Sequence, residues 1–394
     1  MPDCDIAIYG GGIAGLWTLA RLRAAGYRCI LIEHTALGAG QTIASQGIIH
    51  GGIKYALTGS ASDASREIAG MPAIWRACLE GSSPSGHPDL RAVTVLSQRQ
   101  HLWTAGGVAA RIAGAAASRV IRTEVRRLDA AERPDWLDAA RGLGGIDVYT
   151  VEEPVLDPGS LLRCLAAASA GCITTAAAAA NIRPRVRILT AGAGNEDLVR
   201  QFTGERSAND AAPRMQRRPL HMVMARAATA GHWPLIYGHC ISASPTPRLT
   251  VTSQRDAAGR TVLYLGGALA EEGVSRSPQE QIAAARAELR ACLPRLDLTG
   301  AQFATLRIDR AEAATPTGAR PDGPIIAPVP TPPDQPRTLA VWPTKLAFAP
   351  LVADRLLETI RQGGVEPSGD APLPGAVAPP VTPLPWDAPD LNWT

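Results

Sequence analysis

The residues able to do chemistry fall in four stretches of this 394-residue chain. The first has Gly10, Gly12 and Gly15 in the spacing G-x-G-x-x-G, after the apolar run Ile6 to Tyr9, with Glu33 closing the next apolar run. The second, Gln41 to Tyr55, is rich in Gly, Ser, Thr and Gln and contains His50 and Lys54. The third places Ala191 and Gly192 after Val186-Arg-Ile-Leu, and the fourth holds Arg320 and Lys345-Leu346. Each type suits a task. A glycine turn lets a backbone approach a pyrophosphate. An imidazole exchanges a proton near neutral pH. A guanidinium grips a carboxylate or phosphate at two points, whereas an ammonium is a compact charge. The chain has 39 Lys plus Arg, yet only Lys54 and Lys345 are lysines. Where arginine supplies generic positive charge, a remaining lysine is expected to be there for its ammonium.

The elements that must position the first stretch are legible. Ile6 to Tyr9 reads as a strand buried on both faces. A helix follows, with Leu16, Leu19, Ala20 and Leu22 on its apolar face and Gly26 as its stop. Ile30 to Ile32 make a second strand ending at Glu33. Gly10 permits the tight turn, Gly12 the approach of the anion, and Gly15 close packing of helix on strand. The N–H groups of Ile13 and Ala14 open the helix end that faces the anion. Glu33 is placed to accept both ribose hydroxyls of an adenosine and to repel a 2′-phosphate. Strand, glycine turn, helix and acid together give this motif the context it needs; the alternative is a glycine turn with no ligand. A nicotinamide dehydrogenase would continue with a helix and a third strand, but Gln41, Thr42, Ser45, Gln46 and Gly47 predict an extended loop.

At this loop the chain resembles the glutathione-reductase-type FAD proteins, and within them the D-amino-acid-oxidase superfamily. Ser45 to Tyr55, with its apolar pair, His-x-Gly and aromatic, is similar to the flavin loop of glycerol-3-phosphate and L-2-hydroxyglutarate dehydrogenases. The resemblance implies FAD as cofactor. It sets His50, Gly51, Gly52 and Tyr55 beside the isoalloxazine, His50 serving as hydrogen-bonding partner, base or covalent anchor. Val186 to Asn195 resembles the strand and Ala-Gly turn that closes over the pyrophosphate or ribityl chain. Arg320 in Thr317-Gly-Ala-Arg-Pro-Asp-Gly matches the arginine that enters the substrate pocket. Lys345-Leu346 matches a Gly-Lys-Leu whose lysine reaches substrate and flavin, although Pro343-Thr344 replaces Gly-Gly. His239 and Tyr264, on predicted strands, are further substrate-site candidates. Between Cys172 and Arg185 the alanine-rich sequence is short, so the strand pair on the adenosine side reads as shortened or missing.

The implied fold is α/β: a glutathione-reductase-type, Rossmann-like FAD-binding domain with a second α+β substrate domain on an antiparallel sheet. The FAD domain is expected from residues 1–80, 150–205 and 305–362, the substrate domain from 85–149 and 212–304, and a Pro-rich tail from 363–394. Trp386 and Trp393 are expected to dock that tail on the body or on another subunit. The implied activity is oxidation of a CH–OH or CH–NH bond of a small anionic substrate by hydride transfer to flavin N5, with Arg320, Lys345 and His50 in the site. The electron acceptor is open, and an oligomer is possible. The alternative is a flavin-binding subunit without independent catalysis, prompted by the short adenosine side.

A formal net charge of +3 gives no reason to expect nucleic acid. No apolar run is long enough for a membrane span. Seven scattered cysteines show no metal-ligand spacing and fit a reducing cytoplasm. Helices are predicted at 63–80, 105–118, 129–141 and from Ser277. Strands are predicted at 92–96, 147–152, 221–226, 234–242, 248–253, 262–266 and 301–309, with a mobile linker at 200–218.

Overall fold

A computed structural model describes residues 3–52, 67–104, 125–138, 147–203, 212–242, 244, 246–372 and 376–394. Lys54, Tyr55 and the helix expected at 105–118 lie outside the described residues. The first half of the chain forms β1 (Cys4–Tyr9), α1 (Ile13–Ala24), β2 (Cys29–Glu33), α2 (Met71–Glu80), β3 (Val95–Ser97), β4 (Gln100–Thr104), β5 (Val125–Arg127), β6 (Val148–Val151), β7 (Val155–Leu156), α3 (Pro158–Ala168), β8 (Ile173–Thr175) and β9 (Pro184–Leu189). The second half forms α4 (Asn195–Thr203), β10 (Met215–Arg226), β11 (Tyr237–Ile241), β12 (Leu249–Arg255), β13 (Thr261–Gly266), α5 (Ala268–Glu272), α6 (Pro278–Cys292), β14 (Gln302–Ala313), β15 (Ile325–Val329), β16 (Arg337–Trp342) and α7 (Ala349–Gln362).

Two large sheets carry the molecule. The first runs β15-β16-β9-β1-β2-β8. All its pairs are parallel except the edge pair β15–β16. This is the expected Rossmann-like sheet, with both neighbours of β1 running in its direction. β1 is buried along its length apart from Tyr9, as its unbroken apolar run predicts. α1, α3 and α7 cover one face. There Trp17 and Trp75 meet with ring centroids 4.5 Å apart, and both are fully buried. Burial of such a ring is worth on the order of 3 kcal/mol.

The second sheet runs β14-β10-β13-β12-β11-β4-β6-β5. It is antiparallel except for β11 on β4. β14 pairs with β10 from Gln302 to Ala313, so residues 305–313 belong to this sheet rather than to the first. α6 packs on this sheet through Ala285, Leu289 and Cys292. Its capping box is the one the spacing predicts, Ser277 and Glu280 each bonding the other's backbone N–H.

Several expectations change. Strand β8 pairs in parallel with the end of β2, Thr175 opposite Glu33. The adenosine side therefore has one three-residue strand: it is shortened, as one expectation had it, and not missing. Arg214 to Arg218 are not linker: from Met215 they belong to β10, because pairing with β14 outweighs their polarity. The strand expected at 92–96 begins only at Val95, and 129–141 shows two short helical turns, Ala130–Glu132 and Asp135–Asp138, among its described residues.

The tail docks on the body. Leu37 pairs with Val381, its N–H donating to Pro380 at 2.8 Å. Trp386 is 2 % exposed and meets Tyr264 edge to face. Arg226 lies 3.9 Å over the Trp393 ring. Thr394 and Phe303 exchange both backbone hydrogen bonds at 2.9 Å.

Candidate active site

A cavity of about 2130 Å³ runs between the two sheets. That is about twice the upper end for a small-molecule pocket, room for a dinucleotide and a second ligand. One end is built by β1, α1 and β2. Gly10 has φ +108°, a conformation open to glycine, and a Cβ there would press on Ala191. A Cβ on Gly15 would strike the Gly10 carbonyl oxygen, so this glycine sets the distance between helix and strand; it packs and does not line the cavity. Gly12, Ile13 and Ala14 do line it. Gly12 begins α1 with no side-chain cap and no acid in the first turn, which leaves a positive helix end toward the cavity. Thr42 Oγ1 accepts the Ile13 N–H at 3.0 Å, fixing the loop on the helix start.

Glu33 is held by backbone. Its Oε2 accepts the Gly11 N–H at 2.7 Å, and its Oε1 accepts those of His34 and Thr35 at 2.7 and 3.0 Å. The carboxylate thus stands on the cavity wall beside Ala176 and Ala179, which follow β8. Ala191 and Gly192 lie opposite, Gly192 at φ +58°. Two residues that sequence reasoning missed hold that turn. Thr190 Oγ1 lies 3.0 and 3.1 Å from the Tyr9 and Gly10 carbonyls, tying β9 to the glycine turn. Asn195, fully buried, accepts the Ala191 N–H and donates to Val341. Small polar residues after a strand give no signal until the pairing of β9 with β1 and β16 is known.

The loop after β2 runs along the cavity to the second sheet. Gln41, Ser45, Gln46, Gly47 and His50 line it. Gln46 Nε2 donates to the Tyr264 carbonyl at 2.9 Å, and the Tyr264 hydroxyl donates to Ala44 at 2.9 Å. Tyr264 is fully buried, does not line the cavity, and burial pushes its phenol well up. It pins the loop to β13 and is not a substrate contact. Gly51 also lies off the wall, its N–H donating to the Glu153 carboxylate.

The other end draws on distant residues. His50 Nδ1 lies 3.5 Å from Glu153 Oε2, and its ring stacks on that of His239 with centroids 6.0 Å apart. His239 Nδ1 is 2.8 Å from Thr250 Oγ1. Gln100 and Glu153, both missed in the sequence, line the same wall. Arg320, half-buried, also lines the cavity, and Gln216 on β10 holds its turn by donating to the Gly318 and Ala319 carbonyls. Arg218 with Glu312 and Arg310 with Glu271 form ion pairs nearby.

Lys345 and Leu346 line the cavity after β16. The Lys345 N–H donates to the Pro343 carbonyl at 2.8 Å, closing a three-residue turn on Thr344 at φ +62°. A β-branched residue is strained there. This is where the family pattern has glycine. The buried Thr344 Oγ1 has no hydrogen-bond partner among the described residues. Trp75 Nε1 donates to Ala347 at 3.0 Å and anchors the segment from behind. Among the described residues no group of three His, Cys, Asp or Glu could hold a metal.

The glycine cradle, the fixed Glu33 and the size of the cavity fit FAD, and comparisons with known proteins agree. A family model described as FAD dependent oxidoreductase (DAO) matches residues 5–349. The probable FAD-dependent oxidoreductase PA4991 of Pseudomonas aeruginosa is 44 % identical over 400 residues, covering 97 % of each chain. Its crystal structure, at 40 % identity, superposes with TM-score 0.78 over 98 % of this chain and 99 % of that one. The fold is shared more distantly with glycine oxidase from Geobacillus kaustophilus, at 14 % identity and TM-score 0.60 over 94 % and 97 % of the chains. It is shared also with the FAD-bound L-α-glycerophosphate oxidase of Mycoplasma pneumoniae, at 13 % and 0.59 over 96 % and 99 %. The backbone cradle is thus that of a flavoenzyme, and the chain belongs to the DAO family of FAD-dependent oxidoreductases.

Proposed function

We propose that the enzyme oxidises a CH–OH or CH–NH bond of a small anionic substrate. FAD supplies the hydride acceptor, flavin N5. The observation that carries the reading is that His50, Arg320 and Lys345, far apart in sequence, line one cavity with the glycine turn. Arg320 holds the substrate's acid group as a fork of two parallel hydrogen bonds. Lys345 stabilises negative charge on the substrate or at the flavin edge. His50, oriented by the Glu153 carboxylate, takes the proton that leaves with the hydride. Glu33 takes the ribose hydroxyls, and the start of α1 takes the pyrophosphate. The seven cysteines are all free thiols and no described helix is long and apolar enough to cross a membrane, so we place the enzyme in the cytoplasm.

The test is anaerobic bleaching of the purified yellow protein by a panel of 2-hydroxy acids, amino acids and polyol phosphates. With a bleaching substrate in hand, Arg320→Ala is expected to raise KM by about 10- to 100-fold, the worth of a charged hydrogen-bond pair, with flavin still bound. Lys345→Arg is expected to lower kcat. An unchanged KM in the first variant removes Arg320 from the site. Acid precipitation decides whether His50 anchors the flavin: flavin left in the supernatant excludes a covalent bond.

A further inference from the structure

The Pro-rich tail does more than dock, because it supplies one wall of the cavity. Thr382, Pro383, Pro385, Leu391 and Asn392 line it together with the glycine turn and the loop after β2. At one end of this wall the Leu37 side chain lies against Gly11 of the turn, and the Leu37 carbonyl accepts the Thr382 N–H at 3.1 Å. In the middle Trp386 meets Tyr264, whose hydroxyl donates to Ala44 of the cavity loop. At the far end Leu391 joins the apolar cluster formed by β10, β13 and β14. The wall has little structure of its own. Residues 376–394 contain one bridge, at Val381, and one helical turn, Pro385–Asp387. The loop after β2, by contrast, is tied to the body by backbone hydrogen bonds at Gly38, Gly47 and Ile49. Trp386 is the tail's large buried anchor, yet its buried indole N–H has no hydrogen-bond partner among the described residues. An unmade hydrogen bond takes back part of what burying the ring gains. Segments that share few hydrogen bonds with the body open at lower free energy than sheets do.

We infer that residues 381–394 are a releasable strap that completes the FAD site: FAD enters with the strap lifted, and the strap closes over it with Trp386 as its latch. The inference rests on the placement of FAD proposed above, with the pyrophosphate at the start of α1. The strap then runs alongside the cofactor from the glycine turn toward the second sheet, so lifting it bares the groove along that length. Docking of the tail and binding of FAD favour the same closed form, and each therefore strengthens the other by the same factor.

The test follows exchange of bound FAD against excess isotope-labelled FAD, read by mass spectrometry on the FAD-loaded protein. Ending the chain at Pro380, or Trp386→Ala in the full chain, is expected to speed exchange by about tenfold or more, a part of what burying the ring is worth. Trp386→Phe keeps a ring in place and deletes the unpaired N–H, so it is expected to exchange more slowly than Trp386→Ala. A second readout uses the unaltered chain. Chymotrypsin is expected to cut apoprotein after Trp386 while the body stays whole, and saturating FAD to slow that cut about tenfold, the reciprocal of the same coupling. Where the shortened chain does not fold, Trp386→Ala and the cutting of the unaltered chain decide. Exchange at the wild-type rate in every folded variant, or a cut that FAD leaves unchanged, would overturn the strap. Faster exchange in the shortened chain alone keeps the strap and removes Trp386 as its latch. Glu33→Ala reports on the placement of FAD separately: wild-type FAD affinity in that variant counts against the placement, whatever the tail does.

Discussion

At the glycine end the cavity wall is mostly backbone; at the His50 end it is mostly side chains. The first end is one continuous piece, β1 to β2, in which missing side chains at Gly10, Gly12 and Gly15 shape the turn as much as the carboxylate of Glu33 does. The second is assembled from residues 50, 100, 153 and 239, on a loop, two strands of the second sheet and the segment after β6. A backbone site tolerates little change at few positions, because its geometry is the fold itself. A side-chain site can change ligand with the fold intact. Chains at 13–14 % identity to this one keep the fold.

Four substitutions probe that contrast, in falling order of effect. Gly15→Val should be the most damaging, since its Cβ strikes the Gly10 carbonyl and forces α1 off β1. A loss of about 3 kcal/mol in stability, the upper end for overpacking, and a colourless purified protein are expected. A yellow, stable variant would break the claim that backbone spacing makes this end. Glu33→Ala removes a carboxylate that holds three backbone N–H groups. FAD affinity by fluorescence quenching should fall at least tenfold, with about 2 kcal/mol lost on denaturant unfolding. Tyr264→Phe deletes one buried hydrogen bond to Ala44 and should cost about 1 kcal/mol with turnover unchanged. A large drop in kcat at wild-type stability would return Tyr264 to the substrate site. Thr344→Gly is the mildest. Relief at φ +62° exceeds the entropy that glycine loses, so a gain of roughly 0.5 kcal/mol in unfolding free energy is expected. A destabilised variant would show that the threonine side chain is held by contacts stronger than its strain.

The same contrast decides what the sequence could reveal. The glycine end was legible because its signal is local: spacing, one apolar run and one acid describe the whole structure from Ile6 to Glu33. His50, Arg320 and Lys345 were legible only through resemblance to a family, since no spacing joins them. Glu153 and Gln100 carried no signal at all. A glutamate before proline and a glutamine opening a strand are ordinary until β4 pairs with β6 and sets them side by side. Tyr264 misled for the opposite reason. Its strand meets the cavity at Gly266, two residues along on the same face, but Trp386 and the loop at Ala44 cover the tyrosine ring. The short alanine-rich segment at 172–185 hid β8 because three residues suffice at a sheet edge.

The last residues of the chain join what the topology keeps apart. They pair with Leu37 beside the dinucleotide turn, bury Trp386 against the second sheet, and finish as a rung against Phe303. Two sheets with separate apolar interiors would ordinarily come apart at separate temperatures. A seam stitched across both makes the opening of one loosen the other, so a calorimeter should record one heat-absorption peak for the pair, and clipping the chain before Val381 should split it into two.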